Sequence, residues 1–500
     1  MTCLRSYRTL NLMLLGSALA LAPATCRAQT PTVKRTPAPA ASTTVPVVML
    51  SDLHFDPFHD PAKFDRLRAA PAEQWQKILA EPDSPTITED IAKLNAKCRS
   101  RGVDTPWTLL ESSLAAAHAE SPHALFVTVS GDLLAHLFDC RFNALATKPA
   151  EGDYSAFAAK TLAYVAAEMH RTFGKTPVYL ALGNNDSGCG DYRESSNSPF
   201  LKNAAESFAE DVASTDAMKD ILTVFPDSGS YTVALPAPVV KGRLIVLQDL
   251  FLARTYAGCN GKPDTAAAAA QLDWLRQQLS TAHAAHEQVW VMAHIPPGLD
   301  LYSTTTGNRD VCGGQAPVMF LHDEKLVDVL TDFAPDIRLA IFAHTHNDEM
   351  RLFQSADGSA LVAGKLVPSI SPINGNYPAF TLAEVDPKTA ILKDFRVLAS
   401  DSKTGVAAKW AQTYKFSTAY HASAYTPATL ATILKTFRAD AQSEKPESNA
   451  FEQNFMVNGG LRSLAIRLVW PQYVCMMQNN TPAAYKTCIC PVPSAGTPAP

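Results

Sequence analysis

Val45-Pro46-Val47-Val48-Met49-Leu50-Ser51-Asp52-Leu53-His54 decides how the rest of the chain is read. Residues 45–51 are an apolar run of strand length, and a carboxylate and an imidazole follow at once. The arrangement recurs four times. Gly131-Asp132 follows the run 125–130, and Gly183-Asn184-Asn185-Asp186 follows 178–182. His294-Ile295-Pro296 follows 289–293, and His344-Thr345-His346 follows 339–343. A further strand is expected over 244–247. Helical spacing separates these runs: 106–120, with Leu109, Leu110, Leu114 and Ala117 on one face, then 156–173, 266–279 with Leu272, Leu275 and Leu279, and 324–333. Strands alternating with helices predict an α/β core whose sheets are largely covered. Functional groups of such folds gather at the carboxyl ends of the strands, where all five blocks fall.

The residue types in these blocks point to metal chemistry. Asp52 and His54 are two apart, so on extended backbone their side chains leave on one face. A carboxylate with a neutral imidazole suits zinc, manganese or iron. Gly131 lets the backbone beside Asp132 come close to an ion, and one carboxylate between two cations is a natural bridge. Asn184 offers a neutral amide oxygen. His294, His344 and His346 complete the set, and the spacing of two lets His344 and His346 reach different ions. Two ions about 3.5–4 Å apart hold a hydroxide at neutral pH and clamp an in-line displacement at phosphorus. Singly, each block has a plainer explanation: a chance Asp-X-His, a Gly-Asp turn, a buried histidine before Pro296-Pro297. Together and in this order they predict a two-metal phosphoester hydrolase. Four histidines and export favour zinc over manganese or iron.

The 500 residues are 47% apolar and 18% charged, which are globular values, and a formal net charge of −5 leaves no basic footprint for nucleic acid. Residues 1–28 read as a secretory signal peptide: Arg5 and Arg8, an apolar run over 10–22 broken only by Asn11, Gly16 and Ser17, then Cys26-Arg27-Ala28. The run is short for a membrane span, so no stable membrane anchor is expected. Cleavage leaves 40 basic and 48 acidic residues, net −8, which disfavours tight binding to anionic membranes. A secreted or periplasmic location follows as an expectation. Residues 29–44 read as a Pro/Ala/Thr-rich linker and 491–500 as a disordered tail. Eight cysteines remain after cleavage, an even number that suggests disulfides. The polar, Gly-rich loops around Cys259 and Cys312 suggest one pair, and Cys475 with Cys488 or Cys490 another. Zinc binding by cysteine is the competing reading, but Cys488-Ile489-Cys490 lacks a paired knuckle.

Beyond residue 350, antiparallel strands are expected over 361–366, 379–385 and 391–397. From 427 the chain reads as helical, with Leu430, Ile433, Leu434 and Phe437 on one face. The organisation is therefore 45–400 as the catalytic domain and 401–490 as a helical, Cys-containing region, either a second domain or an appendage. The segments 53–105, 186–230, 252–265 and 298–320 read as long polar loops that set specificity. Oligomeric state leaves no trace in the sequence.

The five blocks resemble those of calcineurin-like metallophosphoesterases: Asp-X-His, Gly-Asp, Gly-Asn-His-Asp/Glu, a lone His after a strand, and Gly-His-X-His. The resemblance covers roughly residues 45–350 and implies a four-layer α/β/β/α sandwich with a binuclear centre. It assigns Asp52, His54, Asp132 and His346 to one ion and Asp132, Asn184, His294 and His344 to the other. Ala343 replaces the usual glycine of the last motif. Asp52-Leu53-His54-Phe55-Asp56, Gly131-Asp132-Leu133-Leu134-Ala135-His136, His346-Asn347-Asp348-Glu349 and Pro368-Ser369-Ile370-Ser371-Pro372 leading to Asn376-Tyr377-Pro378 are similar to the acid sphingomyelinase-like branch. No saposin-like module precedes residue 45, which counts against sphingomyelin as the substrate.

Asn185 departs from the family, which usually has histidine there as a candidate proton donor. Asparagine cannot act as a general acid at neutral pH. Gly-Asn-Asn-Asp also resembles the endopolyphosphatase form. Either the leaving group is good, such as phosphate or an aryl alcohol, or another residue donates. His136 is the candidate donor; the alternative is that it orients Asp132. Asn185, His136 and Asp186 are thus the candidate catalytic residues. The expected substrate is a small phosphodiester, with a phosphoanhydride such as polyphosphate as the alternative. A catalytically weak protein that binds a phosphorylated ligand is the second alternative.

Overall fold

The computed structural model describes residues 44–212, 214–460 and 465–490. The expected signal peptide, nearly all of the linker and the C-terminal tail lie outside the described residues. Among the described residues, no helix is long and apolar enough to cross a membrane.

Among the described residues, twelve strands form two six-stranded sheets. The first contains β1 (Val45–Leu50), β2 (Val127–Val129), β3 (Val178–Leu180), β10 (Ala379–Val385), β11 (Leu392–Ser400) and β12 (Trp410–Lys415), in the order β12-β11-β10-β1-β2-β3. The second contains β4 (Tyr231–Ala234), β5 (Gly242–Val246), β6 (Gln288–Met292), β7 (Ile337–Phe342), β8 (Glu349–Gln354) and β9 (Leu361–Leu366), in the order β4-β5-β6-β7-β9-β8. β1, β2 and β3 run parallel, as do β5, β6, β7 and β9, while β10–β12, β4 and β8 pair antiparallel.

Side-chain alternation explains how the sheets are covered. In β6, Trp290 and Met292 join the core shared with the first sheet, where the Phe126 ring meets Trp290 at 5.7 Å. Val289 and Val291 point the other way, into a second core with Leu272, Leu275 and Leu279 of helix Thr265–Ala284 and with Val327 and Leu330 of helix Lys325–Asp332. β7 repeats the pattern, with Leu339 and Ile341 on one face and Ala340 and Phe342 on the other. Helices Trp107–Glu120 and Asp153–Phe173 pack into the first core. Two sheets face to face between helices are the α/β/β/α arrangement that the resemblance implied, and period-two burial on both faces is its physical cause.

Three segments expected as loops carry helices, among them 298–320 with Leu301–Thr306, and one expected disulfide does not form. The segment 53–105 is not a loop; it carries helices Phe64–Ala69, Trp75–Leu79 and Ile87–Cys98. The segment 186–230 carries Pro199–Ala209 and Thr215–Ser228, capped by Ser198 and Ser214, whose hydroxyls accept from Leu201 N and Ala217 N. Cys259 does not pair with Cys312. The disulfides are Cys98–Cys140, Cys189–Cys259, Cys312–Cys490 and Cys475–Cys488. Loop texture was a poor guide because pairing depends on which loops the sheets bring together. Cys475–Cys488 is one of the two pairings expected for Cys475. The C-terminal helices Pro427–Arg438 and Trp470–Gln478 pack against β8, and β12 extends the first sheet.

Candidate metal centre

Each strand-end block meets the others because its strand stops at the same end of the molecule. The backbone then turns in an unusual way. Asp52, His54, Asp132, His344 and His346 have φ of 45°, 43°, 55°, 69° and 63°. The sequence suggested extended backbone for the Asp52/His54 pair; the turn is left-handed instead. That conformation costs a non-glycine residue roughly 1–2 kcal/mol. It is held by Asp52 N donating to Gly131 O, His54 N to Asp132 O and Phe55 N to Leu133 O, at 3.1, 2.9 and 2.8 Å. Strained residues gathered at one place are a mark of a functional site. Close approach is built in as well: a Cβ on Gly183 would lie 2.1 Å from Asp132 Oδ1, and one on Gly131 would lie 2.8 Å from His294 Nδ1.

Ligand-type atoms converge on Asp132. His54 Nε2 lies 3.4 Å from Asp132 Oδ2, 3.8 Å from Asp52 Oδ1 and 3.1 Å from His346 Nε2, which is 3.6 Å from Asp52 Oδ1. His294 Nε2 lies 3.1 Å from Asp132 Oδ2, and Asp132, His294 and His344 form a second group. Ligands bound about 2.0–2.1 Å from a tetrahedral ion stand about 3.3–3.4 Å apart, so these spacings fit an enclosed cation. The tautomers agree. His54 Nδ1 donates to Leu134 O at 2.9 Å and His294 Nδ1 to Ser130 O at 2.8 Å, so in both rings Nε2 is the nitrogen left for the cluster. Asp52 Oδ1 and Asn184 Oδ1 are buried without any hydrogen-bond partner. Buried lone pairs left without a donor are costly unless a cation meets them.

Electrostatics tell the same story. Burial holds His54 at about 4 and His344 at about 3, and takes His346 well below the ordinary histidine value. All three are therefore neutral at pH 7 and free to give a lone pair. Burial opposes charge on His294 too, but Asp132, with Asp52 and Asp249, outweighs it and lifts His294 to about 10. Asp132 lies well below the carboxylate range: burial works against its charge, and His294 and His54 overcome it. Without metal, a proton serves as the positive charge between His294 and Asp132; a divalent cation would take its place.

The sequence profile of the family described as "Calcineurin-like phosphoesterase" matches residues 45–348. The chain belongs to this family. Its relatives include acid sphingomyelinase-like phosphodiesterase 3b of Homo sapiens, 24% identical over 456 residues that cover 88% of this chain and 89% of the relative. Sphingomyelinase phosphodiesterase D of Dictyostelium discoideum is 22% identical, covering 74% of this chain and 79% of that protein. Cyclic GMP-AMP phosphodiesterase SMPDL3A of Mus musculus is 19% identical, covering 81% and 88%. Among solved structures, a dimetal phosphatase from Danio rerio aligns with 74% of this chain and 99% of its own, at 13% identity and a TM-score of 0.39. The protein is a metal-dependent phosphoester hydrolase, and its buried His/Asp cluster is a plausible binuclear site.

The three candidate catalytic residues of this phosphoesterase differ in what they touch. Asn185 donates from its backbone N to Asp132 Oδ1 and from Nδ2 to Asp132 Oδ2, both at 2.9 Å. Asp186 is fully buried; Oδ1 accepts from Leu133 N and Leu134 N, and Oδ2 from Gly183 N. His136 stacks on His54 with ring centres 3.8 Å apart, and its side chain keeps 29% exposure. Its Nδ1 lies 2.9 Å from Asp104 Oδ1, while its backbone N donates to Asp104 Oδ2. Burial opposes its charge, but the Asp104 carboxylate outweighs that and raises His136 above the ordinary histidine value.

Four residues around the cluster escaped the sequence reading. Asp104 is fully buried and also accepts from Ser371 Oγ. Asp249 accepts from His294 N and Ile295 N and so fixes the turn that carries His294. It follows the run 244–247 as the five blocks follow theirs, and that was its signal. Asp191 accepts from Asn184 Nδ2, and the Tyr192 hydroxyl contacts His344 Nε2. Neither of these two carries a motif.

Proposed function

We propose that the protein is an exported, zinc-dependent phosphodiesterase of the acid sphingomyelinase-like kind, acting on a small-molecule diester. Asp52, His54, Asp132 and His346 would hold one ion, and Asp132, Asn184, His294 and His344 the other. The observation that carries this reading is the pair of His/Asp groups that share Asp132, Asp52 with His54 and His294 with His344, together with the buried, unpartnered oxygens Asp52 Oδ1 and Asn184 Oδ1. When bound, the ion pair supplies a nucleophilic oxygen at neutral pH and stabilises charge on the phosphoryl oxygens. The residues do the rest. Asn185, hydrogen-bonded to both oxygens of Asp132, orients the Asp132 carboxylate and is no general acid at neutral pH. Asp186, whose oxygens are all taken by backbone N–H groups, shapes the loop rather than reacting. His136, held through Nδ1 by Asp104, presents its other nitrogen as the proton donor to the leaving alcohol. The relatives' names, a sphingomyelinase phosphodiesterase and a cyclic GMP-AMP phosphodiesterase, support a diester. Four disulfides support an oxidising compartment and hence export.

Hydrolysis of bis-p-nitrophenyl phosphate by the wild type and by Asp132→Asn tests this reading. The expected result is metal-dependent turnover that falls by at least about 100-fold in the variant, as losses of a few kcal/mol of transition-state stabilisation do. Equal rates in the two proteins would remove Asp132 from the centre. A phosphoanhydride substrate remains the second reading, favoured by Asn185 because a phosphate leaving group needs no donor. Turnover of polyphosphate with none of diesters would decide for it.

A further inference from the structure

Asn184 poses a problem that none of the other proposed ligands has. Its amide ends in an oxygen and an NH₂ group of nearly the same shape, and only the oxygen can bind a cation. Something must decide which end faces the centre. Asn184 Nδ2 donates to Asp191 Oδ1 at 2.8 Å, and Oδ1 is left buried with no partner. A carboxylate accepts and cannot donate, so flipping the amide would set oxygen against oxygen and lose the bond. The next residue acts on a different strand. The Tyr192 hydroxyl lies 3.2 Å from His344 Nε2, and the Tyr192 ring stands at 90° to the imidazole. The Phe320 ring meets the imidazole edge-on as well, at 84°. The backbone N of Tyr192 donates to Asn184 O at 3.0 Å, which ties the two contacts together.

This short segment is itself held. Ala257 N donates to Tyr192 O and Glu194 N to Ala257 O, at 3.1 and 3.2 Å. Cys189–Cys259 closes the same pair of loops covalently. Asn184 and His344 both belong to the second proposed ion set and to no other. None of the hydrogen bonds of Asp191 or Tyr192 reaches Asp52, His54 or His346, the residues proper to the first.

We propose that Asp191 and Tyr192 are positioning residues for one of the two ions, the one held by Asp132, Asn184, His294 and His344. Asp191 selects the oxygen of Asn184, and Tyr192 sets the plane of His344. This rests on the two-ion reading above. Outer partners of this kind are worth about 10–100-fold in metal affinity.

The test is equilibrium dialysis of the metal-stripped full chain against zinc, with bound metal counted by mass spectrometry and the fold checked by circular dichroism. The wild type is expected to bind two ions per chain. Asp191→Ala is expected to weaken one of them about 10–100-fold and leave the other unchanged. Asp191→Asn keeps the shape but can donate as well as accept, so it no longer selects the oxygen of Asn184 and should weaken the same ion with the fold unchanged, which a merely structural role would not produce. Tyr192→Phe should weaken the same ion and, since it removes only a hydroxyl, gives the reading should Asp191→Ala fail to fold. Two ions bound with wild-type affinity by both Asp191→Ala and Tyr192→Phe would overturn the clamp while leaving the two-ion centre standing. A wild type that binds no ion would overturn both.

Discussion

In the proposed mechanism, protonation of the leaving group turns on His136. The position where the family usually has a histidine holds Asn185, and Asn185 faces Asp132 with both of its donors. His136 lies beside the cluster, close to His54 and His346, and Asp104 holds one of its nitrogens. A donor is needed for a poor leaving group and hardly at all for p-nitrophenol. His136→Ala should therefore slow an alkyl phosphodiester by roughly 10²–10⁴-fold, and the aryl diester much less. Steady-state rates on both substrates read the difference. Equal losses would mean that His136 orients other groups and donates no proton.

At the scale of elements, the turn after β1 is fastened to helix Phe138–Leu145 by one buried ion pair. Arg141 Nη1 donates to Asp56 Oδ2 at 2.7 Å, and both side chains have no exposed surface. Arg141→Met would strand the Asp56 carboxylate in the interior. Breaking such a pair on one side costs roughly 3–5 kcal/mol, and urea unfolding should show a loss of that size. Asp56→Asn combined with Arg141→Met should cost much less than Arg141→Met alone. Elements of this kind were partly legible beforehand. The strands that end in ligands announced themselves as apolar runs, because they are buried on both faces. β8 did not, since it buries Glu349 and Arg351 as an ion pair at 2.9 Å and so lacks an apolar signature. β12 did not, since it is an edge strand with no fully buried residue. The proposed ligands were legible because a strand end imposes a fixed place on them. Asp104, Asp191 and Tyr192 were not, because their partners lie across loops whose meeting is set by the packing of the sheets.

For the molecule as a whole, buried carboxylates outside the centre set a pH dependence. Burial raises Glu194 to about 7 and Asp211 to about 8. Asp211 has neither oxygen hydrogen-bonded, although His170 Nδ1 lies 3.3 Å away. An acid whose folded value is raised binds its proton more tightly in the folded state. The stabilisation is complete below the ordinary carboxyl value of about 4 and is lost as pH rises through 7 to 8. With metal removed by chelator, the urea midpoint should fall between pH 5.5 and 8.5, and Asp211→Asn should flatten the fall. An unchanged midpoint over that window would mean that these groups do not bind the expected protons. Anomalous scattering at the zinc edge, from crystals grown with zinc, reads the ions themselves. Two peaks flanking Asp132 are expected, one among Asp52, His54 and His346 and the other among Asn184, His294 and His344; a map with no peak at Asp132 would rule out the two-ion centre.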